Sequence, residues 1–322
     1  MNFLPFGRAH RSAIKDRLKL LLGALVYPVQ TRRWKRYIGR HAVLRDLARQ
    51  YPRMVHKIYR PYLHTRLSCA DRVNLLIGHY DRIFEAGLAN LVDRAASCPV
   101  TVARFAGKGG SLFELELSAI NNGHREGELA LKLLQDGTCV YMSSFVLVAL
   151  DGVLSIALGG LQGLRAFDGA QVIKAATREF HGCRPKKLMV AAVRAIGDYF
   201  GCERVLLVGN QNLVTVNWRR AGRISSDYDA TWEEMGAQRR ADGNYELPCT
   251  SAEPNLDAVV SHKRAEARRR HALLASVCAS VRAGLAQRIA AAPLLHAGAV
   301  VPLTVLTNAP SSNDARLDLR IG

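Results

Sequence analysis

The sequence lacks the cysteine spacing of a disulfide framework or a zinc site. Its seven cysteines are scattered and odd in number, and no two of them form a C-x-x-C pair. We therefore predict neither a disulfide-stapled secreted fold nor a metal site, and the free thiols indicate a reducing compartment. The expectation is a cytoplasmic protein.

A hydrophobic run long enough to cross a bilayer is also missing. The stretch that best resembles the apolar part of a signal peptide, residues 18–29, is interrupted by Lys19 and Pro28, and no A-x-A cleavage site follows it. It is too short to span a membrane. The apolar residues in and before it recur at helical spacing: Ile14, Leu18, Leu21, Leu22 and Leu25. This stripe either packs on the protein's own core or contacts an anionic inner-membrane surface, with the protein peripheral to it.

Acidic residues are scarce at the start of the chain. Residues 1–66 contain 16 Lys and Arg but only Asp16 and Asp46, so 16 − 2 = +14 of the net charge of +18 lies there. Such a patch attracts polyanions, which include nucleic acid, anionic lipid and an acidic partner. Nucleic acid is disfavoured, because the sequence has no zinc-finger spacing, RNA-recognition signature or helix-turn-helix pattern.

The hydrophobic period changes along the chain. Residues 12–95 show helical stretches broken by Pro28, Pro52 and Pro61. From Leu112 the strand candidates are LFELELSA, ELALKLLQ, CVYMSSFVLVAL and VLSIALG. The dipeptides Asp136-Gly137 and Asp151-Gly152 separate some of these runs and suit tight hairpin turns. An antiparallel meander is therefore predicted.

Helices surround this meander in the predicted fold. PKKLMVAAVRAIGDYFG reads as a helix opened by Pro185 and closed by Gly201, RVLLVGN as a strand, and the segment before residue 290 as one long basic helix. The predicted class is α+β, with a central antiparallel-to-mixed sheet flanked by helices. Its predicted regions are a basic helical region at residues 1–95, the α+β core at 96–256, a C-terminal helix at 257–290 and a flexible tail at 291–322.

Several motifs occur together between residues 30 and 285. They are YRPYL, HYDRIF, GGLQG, ATREFHGCRPKKLM, YDATWEEMGA, NYELP and SHKRAEARRRHALL. In combination they resemble the bacterial VirK/YbjX family. The resemblance implies a role in virulence, in resistance to host antimicrobial peptides or in envelope integrity and stress resistance, with an envelope protein or peptide as partner, and it names no reaction. The chain has Leu213 where many members are expected to carry a histidine, so an activity that depends on that histidine is in question here.

A fold-level resemblance suggests a donor site. The succession of hairpin strands, Gln- and Gly-containing loop, helix and further strand is similar to the core of the GNAT acyltransferases, in which a Q/R-x-x-G-x-G/A loop binds the pyrophosphate of acyl-coenzyme A. This chain matches the loop pattern imperfectly, because Gly163 follows Gln162 directly, whereas the pattern has two residues between the glutamine and its first glycine. The implied cofactor-binding residues are Gly160, Gln162, Gly163, Arg165, Arg184 and Lys186. Free backbone N–H groups at a helix start and flanking cations suit a diphosphate. Alternatively, the glycines permit close backbone approach and the cations form a solvated face.

Three residues are candidates for proton transfer. His181 ends a predicted helix, where it could act as general acid or base or could hydrogen-bond the last carbonyls. Asp229 and Glu233 share a helical face at i, i+4, where they could remove a proton or pair with nearby arginines.

Asn210, Tyr228 and Trp232 are candidates for substrate binding. The two rings beside carboxylates suit an amine, and Asn210 follows a predicted strand, although turn formation and helix capping explain the same residues. The sequence thus leaves two functions open. One is acyl transfer from acyl-coenzyme A or another acyl thioester, and the other is a non-enzymatic adaptor on an anionic inner-membrane surface.

Overall fold

Helices form the first part of the fold. The computed structural model describes residues 21–119, 125–163, 169–214, 227–250 and 259–290. The first helices are α1 (residues 21–26), α2 (Pro28–Arg40), α3 (Ala42–Gln50), α4 (Arg53–His56), α5 (Cys69–Glu85) and α6 (Ala89–Ser97), with a 3-10 turn at Lys57–Tyr59. Pro28 lies in the first turn of α2 and Pro52 precedes α4, where a missing N–H breaks no helical bond. The helical character predicted for this region is confirmed over its described residues.

One mixed sheet follows these helices. Its strands in the described part are β1 (Val100–Ala106), β2 (Leu112–Ala119), β3 (Leu129–Gln135), β4 (Thr138–Leu150), β5 (Val153–Gly163), β6 (Arg204–Leu207), β7 (Gln238–Arg239) and β8 (Tyr245–Pro248), in the order β1-β2-β3-β4-β5-β6-β8-β7. Neighbours are antiparallel except β5 and β6, which run parallel. The later helices are α7 (Gly169–Glu179), α8 (Pro185–Tyr199), α9 (Tyr228–Glu234) and α10 (Ser261–Ala290), with a 3-10 turn at Asn210–Asn212. The predicted α+β class is confirmed.

The two Asp-Gly pairs form the predicted hairpin turns. Asp136 and Gly137 join β3 to β4 with φ of 49° and 77°, and Asp151 and Gly152 join β4 to β5 with φ of 54° and 75°. Left-handed backbone at both central residues matches the right-handed twist of the paired strands. These turns fix the register of the longest strands.

The middle of the sheet is covered on both faces. In β4, every residue from 145 to 148 is buried, although successive side chains point to opposite faces. Helices α5 and α8 both pack on β4, and Gly197 of α8 lies so close to Ile156 of β5 that a Cβ would overlap it. The core therefore joins the helical region to the sheet.

Helix α10 packs against the outer strand β1. A Cβ on Gly284 would overlap the carbonyl oxygen of Val102, next to the irregularity of β1 between Thr101 and Ala103. Buried residues from Trp34 to Leu285 form one hydrophobic cluster. The predicted tail, residues 291–322, lies outside the described residues, as do residues 1–20.

Candidate functional site

A cavity lies where β5 extends past its parallel neighbour. The last residue pair of β5 and β6 is Leu158 with Leu207, but β5 continues to Gly163 along β4. Beyond that pair, one edge of β5 faces helix α9. The space there has a volume of about 200 Å³ and is lined by Tyr141, Leu161, Lys186, Tyr228 and Thr231.

The GGLQG segment is strand, where the sequence suggested a loop. Gln162 and Gly163 pair with Met142 and Tyr141 of β4, and residues 164–168, including the predicted Arg165, lie outside the described residues. Gln162 Nε2 donates to Glu126 Oε2 at 3.2 Å. GGLQG is therefore the end of strand β5, and Leu161 is its residue in the cavity lining.

The glycines of this segment allow Glu126 to pack closely against the strand. A Cβ on Gly159 would overlap the carbonyl oxygen of Glu126, and one on Gly160 would lie 2.5 Å from Glu126 Oε2. Glu126 is buried. Close approach of a neighbouring segment thus explains both glycines without a ligand, and the predicted role of Gly160 in donor binding stays a prediction.

Helix α9 is held at the open edge of β5 by its two aromatic residues. The Tyr228 hydroxyl donates to the carbonyl oxygen of Leu161 at 2.8 Å and accepts from the N–H of Leu161 at 3.1 Å. Trp232 Nε1 donates to the carbonyl oxygen of Val208, which follows β6, at 2.9 Å. The two rings therefore satisfy backbone groups that the separated strands leave unpaired.

Polar contacts fix the start of α9. Asn210 Oδ1 accepts from the N–H of Tyr228 at 2.9 Å, and Asp229 Oδ1 accepts from the N–H of Asn210 at 2.8 Å. The helix is capped by Asp227, whose pKa is lowered because its carboxylate accepts from the N–H of Ala230. The structure thus brings together the predicted residues Asn210, Tyr228 and Asp229.

A basic cluster borders the cavity at the start of α8. Lys186 Nζ lies 2.8 Å from Glu234 Oε2 and 3.4 Å from Thr231 Oγ1. Arg184 and Lys187 approach the same carboxylate at 3.2 Å each. The hydrogen bonds from Lys186 and Lys187 lower the pKa of Glu234 to about 2. Three cations around one carboxylate leave local positive charge beside the cavity.

None of the three predicted catalytic residues, His181, Asp229 and Glu233, lines the cavity. His181 follows α7 with φ of 50°, and Gly182 after it lies near Glu266 of α10. Glu233 Oε1 accepts from the Tyr245 hydroxyl at 3.1 Å. Leu213 is buried and forms an isolated β-bridge with His64. The catalytic roles of His181, Asp229 and Glu233 stay predictions.

Tyr141 is a site residue that the sequence did not reveal. It lies opposite Gly163 in β4 and lines the cavity. Its hydroxyl has no hydrogen-bond partner among the described residues, and burial raises its pKa. In the sequence, Tyr141 is one of several apolar and polar residues of a predicted strand. Only its pairing with Gly163 in the fold identifies it as a residue of the cavity.

A buried ionic network was also missed. Lys57 Nζ and Glu128 Oε1 lie 2.7 Å apart with side chains 1% exposed. Tyr62 and Tyr80 donate to Glu128 at 2.7 and 2.5 Å, and burial, followed by the charge of Glu128, raises both tyrosine pKa values. Tyr62 lies in the motif YRPYL and Tyr80 in HYDRIF, whereas Glu128 lies in none of the motifs found in the sequence. The network joins the helical region to the start of β3.

Comparison with protein families identifies the chain. The model of the family described as "Protein of unknown function (DUF535)" matches residues 9–283. The chain belongs to the DUF535 family. It is 29% identical to the uncharacterized protein YbjX of Escherichia coli strain K12 over 273 residues, which are 83% of this chain and 82% of that protein. The resemblance to the VirK/YbjX family is confirmed.

Other similar proteins cover less of the chain. Two uncharacterized proteins of Haemophilus influenzae are each 29% identical, one over 44% of this chain and 46% of its own length, the other over 50% and 54%. Among solved structures, a cAMP-binding acyltransferase from Mycobacterium smegmatis matches 68% of this chain and 64% of its own, with a TM-score of 0.30 and 12% identity. That structural likeness does not decide what this DUF535 member does.

Proposed function

We propose that this DUF535 protein transfers an acyl group from a thioester donor, which binds in the cavity beside Gln162. The observation that carries the proposal is the cavity itself, since it lies where β5 extends past β6 and is lined by hydroxyl groups and Lys186. Tyr228 already occupies the backbone N–H and carbonyl of Leu161, so the partners offered to a ligand are side chains: the Tyr141 and Thr231 hydroxyls and the Lys186 ammonium. Acyl-coenzyme A is the proposed donor.

The basic cluster supports an anionic donor. Lys186, Arg184 and Lys187 share one carboxylate, Glu234, and so keep a net positive charge at the cavity edge. A phosphate-bearing ligand adds negative charge there and gains charge-assisted hydrogen bonds. The predicted contribution of Arg184 and Lys186 to donor binding is retained in this form.

Tyr141 supports the group-transfer step. An amine or hydroxyl attacks the thioester carbonyl carbon and forms the new C–N or C–O bond, while the C–S bond breaks and the sulfur leaves as thiolate. Burial raises the pKa of Tyr141, so its hydroxyl keeps its proton at neutral pH and can donate a hydrogen bond to the departing sulfur from the cavity wall. His181, Asp229 and Glu233 stay the proposed candidates for accepting the proton of the attacking group, and the proton would reach them through an intervening water because none of them lines the cavity.

Thermal unfolding in the presence of coenzyme A esters tests donor binding. A ligand at 100 times its dissociation constant adds about 2.7 kcal/mol to the free energy of unfolding, which raises the melting temperature measurably. Lys186→Ala should weaken this shift, whereas Lys263→Ala on the exposed start of α10 should not. Tyr141→Phe should keep the shift and slow formation of acylated product, measured by mass spectrometry. Unchanged melting with every ester at about millimolar concentration would falsify the proposal.

The acceptor is proposed to be an envelope component. This part follows from the family resemblance alone, and roles in virulence, stress resistance and antimicrobial peptide resistance stay predictions.

A further inference from the structure

An exposed apolar face lies at the start of the described chain. Eight large hydrophobic residues of the described part are strongly exposed, and six of them lie within residues 21–29. The aliphatic members are Leu21 (62% exposed), Leu22 (53%), Leu25 (78%), Val26 (66%) and Val29 (69%). Single exposed hydrophobic residues are common in proteins, but a contiguous group marks an interaction surface. We call these five residues the aliphatic face.

The opposite side of the same segment is attached to the rest of the protein. The Tyr27 and Tyr59 rings stack with centroids 6.4 Å apart, and the Thr31 and Tyr59 hydroxyls are 2.8 Å apart. Gly23 lies so close to the Tyr59 ring that a Cβ would come within 2.6 Å of it. Tyr27 has non-helical backbone between α1 and α2, but its N–H donates to the carbonyl oxygen of Gly23 and its own carbonyl accepts from the N–H of Thr31, so the three residues stay on one side of the segment. Contact with Tyr59 therefore holds the aliphatic face outward.

Positive charge continues from the aliphatic face along α2. From residue 21 to residue 45 the chain has six Lys and Arg and no Asp or Glu. The exposed Lys and Arg residues of α2 are Arg32, Arg33, Lys35, Arg36 and Arg40. Continuing the helical spacing from Val29 leads to Arg33, Arg36 and Arg40, while Trp34 and Ile38 turn into the core. One exposed stripe is thus apolar at its start and basic at its end.

An anionic lipid bilayer matches both halves of this stripe. Nucleic acid would pair with the arginines but would leave five aliphatic side chains in water, whereas a bilayer offers anionic headgroups beside an apolar interior. No helix within the described ranges is long and apolar enough to span a membrane. We propose that the aliphatic face docks on an anionic phospholipid surface, with the arginines of α2 contacting the headgroups. This inference does not depend on acyl transfer.

Vesicle sedimentation of the full chain tests the docking. Vesicles of phosphatidylcholine with about 30% phosphatidylglycerol should pellet the protein at about 0.1 M salt, and vesicles of phosphatidylcholine alone should pellet much less. The double variant Leu25→Asn, Val29→Asn should lower the partition coefficient at least about tenfold, because two aliphatic side chains no longer enter the bilayer. Val260→Asn, at an exposed aliphatic residue outside the face, should leave it unchanged.

Several outcomes would overturn the docking proposal. They are no sedimentation with anionic vesicles, equal sedimentation with both vesicle types, or a double variant that binds as well as the wild type. Size-exclusion chromatography provides a further check, because a wild-type dimer that the double variant converts to monomer assigns the face to a second copy of this chain. Equal melting temperatures of wild type and variant establish that the substitutions leave the fold intact.

Discussion

At the residue scale, the least predictable feature is the ion pair of Lys57 and Glu128. The two residues are 71 positions apart, and their type alone predicts surface exposure. Tyr62 and Tyr80 lie in motifs that the sequence singled out, but only the fold shows that they satisfy one buried carboxylate. The sequence shows the chemistry of each residue, but it does not show which distant residue that side chain will contact in the fold.

Removing one partner of this pair should be costly. Glu128→Gln leaves the Lys57 ammonium in the core without its carboxylate, so the free energy of unfolding should fall by about 3–5 kcal/mol. Urea denaturation measures the change. The matched control is Glu114→Gln, whose partner Arg104 is 73% exposed and whose loss should cost at most about 1 kcal/mol. Equal small losses in both variants would show that the buried pair is not strongly coupled to folding.

The glycines of GGLQG give a second prediction at this scale. Gly159→Ala should destabilise the protein by about 1–3 kcal/mol, because the Cβ meets the backbone carbonyl of Glu126, which cannot move alone. Gly39→Ala is the control, since nothing lies near its Cβ within helix α2 and alanine should add about 0.5–1 kcal/mol. Urea midpoints of the two variants should shift in opposite directions. An unchanged urea midpoint in Gly159→Ala would mean that the close approach of Glu126 does not require glycine at this position.

At the element scale, local pattern predicts most of the fold. Residues 112–119 alternate apolar and charged side chains and form β2 with those bounds, and Asp-Gly pairs place two hairpins. Strand β1 was missed, because its irregularity between Thr101 and Ala103 interrupts the alternation. The sequence predicts a loop at the end of β5, because the partner of this strand on its open edge is Tyr228, 67 positions away. Elements that depend on distant partners are the ones that sequence leaves undecided.

The attachment of α9 should depend on one hydroxyl. Tyr228→Phe leaves the N–H and carbonyl of Leu161 without the hydroxyl partner, which should cost about 1–3 kcal/mol and speed amide exchange in α9. Hydrogen–deuterium exchange with mass spectrometry measures this locally. Tyr199→Phe is the control, because the Tyr199 hydroxyl has no hydrogen-bond partner within the described ranges. Unchanged exchange in Tyr228→Phe would contradict the proposed anchoring.

At the scale of the whole molecule, stability should fall in mild acid. His79 is fully buried, and burial lowers its pKa from 6.5 to about 4. Between these values the unfolded chain binds a proton that the folded chain does not, so stability decreases as pH falls through that window. Urea denaturation at pH 7 and pH 5 should differ by about 2 kcal/mol from this residue alone.

His79→Gln separates this effect from other titrations. The variant should lose most of the difference between pH 7 and pH 5, whereas His271→Gln, at an exposed position of α10, should retain it. If the wild type and His79→Gln show the same pH dependence, the buried imidazole is not its source. The lowered pKa values of Asp71 and Glu234 act in the same direction, with stability lost as pH falls through the ordinary pKa values of these groups, 3.8 and 4.5.

The most direct test of the central claim is hydrogen–deuterium exchange of the protein with and without acyl-coenzyme A. If the donor binds in the cavity, peptides that contain Leu161 to Gly163 and the N-terminal turn of α8 should gain protection, together with α9. Protection confined to other parts of the chain, or none at saturating donor, would contradict donor binding beside Gln162.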